Sequence, residues 1–487
     1  MTLNLEPFFN PQSIALVGAS NNISSWGFIV AHNIIQNNYT GSFFPINPNR
    51  KEVLGYKAYP TILDIPEENK IDVVIIIIPA IKVLTILEHV AQRHIHHVVI
   101  ITGGFKESGE EGIQLENDVL AFARSHDIRI IGPNGMGIVS TRVQLTAVMW
   151  PVKNLKKGGL AFISQSGNIG TIGISVASRR GIGLNTYVSA GNMADLTIAD
   201  YLEYFGKYDD QTKVVGLYVE GIQDARRFVD LVKEISKQKP VIILKAGGSK
   251  AGRIAAHSHT GAITGDDAVF RDVLQNAGGI IVNTLDEMFD LFVAFSKWID
   301  WSFPRGKVVV LTLGGGWGVI TADACSHHGI YLDPLSKNAF DKINDLLPPF
   351  WSKGNPIDTV ASLNLNSLSE IMEIIFQEMP ETEAIFLLGI GGFSFLANLA
   401  KSSPLIPEED KASLDFIIEG EIELFKQILA LSDDHNKPIL ITTLLQPDDS
   451  PAVAFLQQEN YPIFSSPGNM VQVFRYMVDH YSWKQRI

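Results

Sequence analysis

The sequence predicts an α/β protein of parallel sheets, and three observations predict it. Short, dense apolar runs alternate along the whole chain with stretches of amphipathic, helical spacing, the pattern of strands joined by crossover helices. Most of these runs end in a loop rich in Gly, Ser, Asn or Pro. Finally, Gly167, Gly170 and Gly181 recur at one constant offset as Gly315, Gly318 and Gly329. The same strand–loop–helix design thus occurs twice, although glycines after strands also coincide by chance.

The elements follow in order. The first unit, residues 1–150, carries expected strands Ser13–Val17, Ser42–Ile46, Val73–Ile78, His97–Ile101 and Arg129–Ile131. Their loops are Gly18-Ala19-Ser20, Asn47-Pro48-Asn49-Arg50, Pro79-Ala80, Gly103-Gly104-Phe105 and Gly132-Pro133-Asn134-Gly135. Open parallel sheets bind ligands at such carboxyl ends, so a nucleotide-like ligand is expected there. The second unit, residues 151–303, opens with strand Leu160–Ile163, the turn Ser164-Gln165-Ser166-Gly167-Asn168 and a helix. The third, residues 304–487, opens likewise with Val308–Leu311 and Gly314-Gly315-Gly316-Trp317-Gly318. Both are read as flavodoxin-like, and the segment from Trp301 to Gly306 punctuates the boundary between them.

A chain of 487 residues suggests about three domains. Its longest dense apolar run, Val73 to Ile78, stops at Pro79, far short of the roughly 20 residues of a membrane span. Residues Met1 to Asn10 hold Glu6 and no basic segment before an apolar core, so no secretory signal and a cytoplasmic location are expected. The single cysteine, Cys325, excludes an intrachain disulfide framework and a Cys-based zinc site, and no metal site is expected. A net charge of −13 argues against nucleic acid as a partner. It leaves room for an anionic small ligand held by helix N-termini and a few local cations.

Four segments carry candidate chemistry. The first loop, Gly18-Ala19-Ser20, lacks full G-x-G-x-x-G spacing, and Asn47, Pro48 and Arg50 stand where an acid would hold a ribose diol. That favours a phosphorylated nucleotide such as coenzyme A over NAD, although such a loop can equally serve only to turn the chain. Ser164, Gln165, Ser166, Gly167 and Asn168 form a strand-to-helix turn whose free amides and hydroxyls suit an oxyanion, and whose serines equally suit plain N-capping. It lacks a Walker pattern, so no such ATP site is implied. Glu220, followed by Gly221 at the end of strand Val214–Val219, can orient an imidazole or stand solvated in a loop. The segment Ala255–Ala262 sets His257 and His259 among small residues. A neutral imidazole there can act as a covalent nucleophile, and two solvated loop histidines are the plainer reading.

The joint order of these motifs resembles the NDP-forming acyl-CoA synthetases and, more distantly, is similar to the succinyl-CoA synthetase α subunit. It runs through Val17-Gly18-Ala19-Ser20, Asn47-Pro48, Gly104-Phe105, Gly132-Pro133-Asn134 and Ser164-Gln165-Ser166-Gly167. It continues with Gly191-Asn192-x-x-Asp195, Tyr218-x-Glu220-Gly221, Ser258-His259-Thr260-Gly261 and Asn355-Pro356-Ile357-Asp358. The resemblance implies a Rossmann-like CoA-binding domain followed by two flavodoxin-like domains. It implies the reaction acyl-CoA + ADP + phosphate = acid + CoA + ATP, through an acyl-phosphate and a phosphohistidine.

By motif match His259 is the phosphohistidine and Glu220 the carboxylate that steadies it. The phosphate or acyl-phosphate site is Ser164, Gln165, Ser166, Gly167, Asn168 and Asn192. The CoA-facing residues are Gly18, Ala19, Ser20, Asn47, Pro48, Arg50, Pro79, Gly103, Gly104, Phe105, Glu107 and Asn134. Gly252, Gly261 and Gly265 are candidate joints for a swinging histidine loop. Gly135 stands where the family commonly has Cys, and Trp317 where it has a small residue. No ATP-grasp domain is found, so ATP, ADP and Mg are expected on a separate β subunit, with CoA and a small carboxylic acid as the other ligands. The alternative function is a non-catalytic CoA or acyl-CoA sensor; an NAD-dependent oxidoreductase is disfavoured.

Overall fold

The computed structural model describes residues 4–249, 252, 267–360 and 366–487. The chain divides into two compact units, Met1–Phe292 and Val293–Ile487. His257, His259, Gly261 and Gly265 lie outside the described residues.

The first unit holds two main sheets. One is built from β1 (Ser13–Val17), β2 (Ser42–Ile46), β5 (Val73–Ile76), β6 (His97–Ile100) and β7 (Arg129–Ile131), with a small hairpin, β3 (Glu52–Val53) and β4 (Tyr56–Lys57), beside it. Its order is β2-β1-β5-β6-β7, all parallel, with α3 (Val83–Gln92) crossing from β5 to β6 and α4 (Glu110–Ser125) from β6 to β7. The β-branched run Val73–Ile76 is buried at every residue, as a strand covered on both faces must be. Alternate residues feed two cores: Ile14, Leu16, Val73 and Ile75 face one, and Ala15, Val17, Val74 and Ile76 the other.

The second sheet comprises β8 (Gly137–Ser140), β9 (Leu145–Val148), β10 (Lys157–Ser164), β11 (Leu184–Ser189), β12 (Val214–Val219), β13 (Val241–Lys245) and β14 (Ile280–Val282). Its order is β14-β13-β12-β10-β11-β8-β9, parallel except where β8 pairs with β11 and β9. Strands β8 and β9, which the sequence leaves in the first unit's span, therefore extend the second sheet. A single core runs from Ile14 and Leu16 of the first sheet to Ile163 and Leu217 of the second. Leu5, Phe8 and Phe9, on and beside the short helix α1 (Glu6–Phe9), are fully buried in it. Each such side chain contributes about 1.5–3 kcal/mol by burial, so this N-terminal segment clamps the two sheets together.

The second unit carries β15 (Lys307–Thr312), β16 (Tyr331–Leu332), β17 (Ile357–Asp358), β18 (Ala384–Leu388), β19 (Ile439–Thr442) and β20 (Ile463–Phe464), in the order β16-β15-β18-β19-β20 with β17 also on β15. The Asn355 side chain fills the gap between β16 and β17, accepting from the Val310 amide (2.9 Å) and donating to the carbonyls of Val308 (3.0 Å) and Asp333 (2.8 Å).

In the first two main sheets the parallel strands, counted in chain order, run 2-1-3-4-5, and the third sheet follows the same order when the short β17, which also pairs with β15, is set aside; a switch point thus lies beside the first strand of each. The glycine repeat has a structural counterpart. The helices that begin at Gly167 and Gly315 each have 13 residues, and each is followed by a left-handed glycine, Gly181 (φ 68°) and Gly329 (φ 65°).

Candidate active site

At the switch point of the first sheet, β1 delivers Gly18 in a conformation with φ 97°, against the backbone of Ile77. A side chain there would strike the Ile77 carbonyl, so only glycine fits. Asn47 ties the next loop to this one by donating to the Ala19 carbonyl (2.8 Å), and its Oδ1 accepts the Asn49 amide (2.9 Å). Ser20 Oγ accepts the Asn22 amide (3.0 Å), and Ser25 then caps α2 (Trp26–Gln36). Pro48, Arg50 and Pro79 are exposed on the same edge. The sequence reading missed Gly27: a Cβ on it would overlap the Gly18 carbonyl oxygen, so α2 begins in direct backbone contact with the loop. Its signal was a glycine one residue into a helix that follows a Gly-rich turn.

Gly103 and Gly104 form the fourth loop. Glu107 folds back onto it, its Oε1 accepting the amides of Gly104 (2.5 Å) and Phe105 (3.1 Å). Burial acts to raise the Glu107 pKa, but the hydrogen bonds from Asn192 and from these amides outweigh it and hold it below the ordinary value. The Phe105 ring is fully buried in the core, so only its backbone reaches the edge expected to face the ligand.

Asn192 is the joint between the two sheets. Its Nδ2 donates to Glu107 Oε2 (2.7 Å) and Glu116 Oε2 (2.8 Å), and its Oδ1 accepts from Asn134 Nδ2 (3.2 Å). Its carbonyl accepts Lys106 Nζ (2.5 Å) and its amide donates to the Pro133 carbonyl (2.8 Å). Both side-chain hydrogens are committed to carboxylates. Asn192, a residue of the expected phosphate or acyl-phosphate site, thus joins the two sheets through its side chain. Asp195 adds a second stitch, accepting from Arg129 Nε (2.8 Å) and the Ile130 amide (2.9 Å).

The switch point of the second sheet lies between β10 and β12, where the turn after Ser164 faces the loop that begins at Glu220. Gln165 locks the two. Its Oε1 accepts the amides of Glu220 and of Gly221 (3.0 Å), and its Nε2 donates to the Gly221 carbonyl (2.7 Å). Ser164 Oγ donates to the Ser166 carbonyl (2.6 Å), and Ser166 caps α5 (Gly167–Arg179) at the Ile169 amide (3.5 Å). Gly167 and Asn168 occupy the first turn of α5, where helix geometry leaves amides without intrahelical acceptors and the macrodipole favours an anion. Glu220 is buried, and burial together with this carboxylate pushes the Tyr218 phenol up to about 12. Lys245, buried at the end of β13 over the Phe270 ring (5.2 Å), was missed by the motif reading, because an isolated lysine ending a strand carries no spacing signal.

The counterpart in the third sheet is built differently. A Cβ on Gly315 would lie 3.0 Å from the Asp358 carboxylate, and Trp317 packs beside Gly389 across the β15/β18 switch. That helix start already faces a carboxylate of its own chain.

A CoA binding domain model matches residues 12–141, and a succinyl-CoA ligase like flavodoxin domain model matches residues 157–295. The α subunit of acetate–CoA ligase [ADP-forming] II from Pyrococcus furiosus is 34% identical over 464 residues, 95% of each chain. This chain belongs to the ADP-forming acyl-CoA synthetases. A second member, the 4-hydroxybutyrate–CoA ligase [ADP-forming] of Nitrosopumilus maritimus, is 35% identical over 376 residues, covering 76% of this chain and 53% of the relative. The solved dinucleotide forming acetyl-coenzyme A synthetase 1 of Ca. Korarchaeum cryptofilum, in complex with phosphate and ADP, superposes with a TM-score of 0.84. It is 30% identical and covers 99% of this chain and 98% of that one. The α/β architecture expected from the sequence and the resemblance to this synthetase family are thus both borne out. Among the described residues, no helix is long and apolar enough to cross a membrane.

Proposed function

We propose that this chain is the CoA-binding, histidine-phosphorylated α subunit of an ADP-forming acyl-CoA synthetase, working with a separate ATP-grasp β subunit that holds ADP or ATP and Mg. The observation that carries this reading is the Gln165 lock. It sets the first turn of α5 and the Glu220 loop on opposite sides of one switch point, the arrangement that an anion and an imidazole need together.

In the direction of ATP synthesis, a phosphate oxygen attacks the thioester carbon. The C–S bond breaks, CoA leaves as thiolate and takes up a proton, and acyl-phosphate remains. The Gly167 and Asn168 amides and the Ser166 hydroxyl offset the charge of the phosphoryl group. A ring nitrogen of His259 then attacks phosphorus, the P–O bond to the acyl group breaks, and the carboxylate leaves. Glu220 stabilises the imidazolium character of the phosphohistidine and fixes its tautomer. The phosphoryl group finally passes to a terminal oxygen of ADP as the P–N bond breaks. The residues at the first-sheet edge that support CoA binding are Gly18, Ala19, Ser20, Asn47 and Arg50, with the Gly103–Gly104 backbone. Glu107 and Asn134 support it by shaping the loop.

The test is labelling with γ-³²P-ATP in the presence of the ATP-grasp subunit. The chain is expected to acquire an acid-labile, base-stable phosphate that His259→Asn abolishes and His257→Asn retains. The reverse pattern would sink the assignment.

A further inference from the structure

The chain leaves the carboxyl edge of the first sheet at Ile131 and enters the second sheet at Gly137. Residues 132–136 are thus a short covalent path from the edge proposed for CoA to the edge proposed for phosphate. Met136 ends that path. Its backbone is fixed on both sides, the amide donating to Ser189 Oγ (2.8 Å) and the carbonyl accepting the Met149 amide (3.0 Å). Its half-buried side chain lies on Gly167, the first residue of α5. A Cβ on Gly167 would collide with Met136 Cγ, with Sδ at 3.5 Å and the Met136 Cβ at 3.6 Å, and these are the three atoms nearest to that position.

A thioester joins three parts in a fixed order: the CoA sulfur, the carbonyl carbon and the acyl substituent. If the sulfur is delivered from the first sheet and phosphate attacks the carbon at the first turn of α5, the substituent must lie against what walls that turn. We infer that Met136 is this wall and sets the size of acyl group the chain accepts. The inference rests on the CoA and phosphate edges proposed above. A methionine is unbranched and has a polarizable thioether, so it packs against an apolar substituent and offers no partner to a second carboxylate. Its length fills the space that a longer chain would need. The substrate class that fits is a short, apolar monocarboxylic acid, and shortening residue 136 opens room for a longer one.

The test is calorimetric titration of the full chain with CoA, acetyl-CoA and hexanoyl-CoA. CoA has no acyl group and serves as the reference for fold and for the first-sheet edge. One methylene gained or lost in an apolar pocket changes discrimination by about tenfold or more. Met136→Ala is therefore expected to raise the affinity for hexanoyl-CoA relative to acetyl-CoA by about tenfold, and Met136→Phe to lower it. Met136→Val, a smaller change, moves the ratio in the same direction as alanine and decides the matter if the alanine variant loses CoA binding. A ratio that stays within about twofold, well below the methylene effect, in variants that still bind CoA would overturn the inference. Failure of the unaltered chain to bind CoA would instead overturn the assignment of the first-sheet edge, and this inference with it.

Discussion

Replacing Asn192 by alanine tests whether its buried amide holds the two sheets of the first unit together. The substitution removes one –NH₂ group that serves two carboxylates, Glu107 at 2.7 Å and Glu116 at 2.8 Å, and one acceptor of Asn134. Hydrogen bonds to charged groups contribute about 1.5–3 kcal/mol each. Glu107 is exposed enough to recover water and keeps its two loop amides, so its bond counts at the low end or below. Glu116 is buried and, among the described residues, keeps only a long amide contact from Lys106 (3.4 Å) and an ion pair with it at 3.9 Å, so its bond counts nearer the top. The sum is about 3 kcal/mol. For a unit of this size, a melting point lowered by about 6–12 °C follows from 2–4 °C per kcal/mol.

Asn192→Asp goes further, since it sets a third carboxylate against two others. Its deficit relative to alanine is expected to grow at pH 7 and to shrink as the pH falls toward 4. Differential scanning calorimetry across that range is the assay. A first transition shifted by less than about 2 °C, under 1 kcal/mol on that scale, would refute the joining role. So would intact stability in Asn192→Ala combined with a specific loss of phosphate binding.

Gly27→Ala is expected to weaken CoA binding and to cost about 1–3 kcal/mol, because its Cβ meets the Gly18 carbonyl and the backbone must move. Gly420→Ala, in the helix Lys411–His435 with open space at its Cβ, should instead stabilise by up to about 1 kcal/mol, and equilibrium unfolding separates the two. The Glu107 carboxyl is held below its ordinary pKa, so the ionised form is favoured by folding. Its contribution is present above the unfolded-state carboxylate value of about 4.3 and is lost as pH falls through the lower folded value. Glu107→Gln should flatten that part of the stability profile, as read from denaturant midpoints between neutral and acid pH.

Local pattern fixed much of this protein before any tertiary contact was known. The runs Ser13–Val17, Ser42–Ile46, Arg129–Ile131 and Val214–Val219 are strands with those bounds, because a strand buried on both faces must be a continuous apolar run. The loops that close them were legible because turns demand Gly, Asn and Pro, and the ordered motifs in those loops pointed to the synthetase family.

Other features depend on residues far apart in sequence, and only the tertiary structure decided them. The segment 137–148 has strand pattern, yet nothing local says that β8 pairs with β11 rather than with the first sheet. Glu107 and Asn134 are read from the sequence as CoA-facing residues, and only the fold shows that Asn192, 85 and 58 positions away, binds both. Phe105 follows two loop glycines but turns its ring into the core. Met136 carries no motif at all, and it matters only because β8 brings it onto Gly167. Composition and periodicity report which faces are buried. They do not report which buried face meets which, because that follows from the packing of the whole unit.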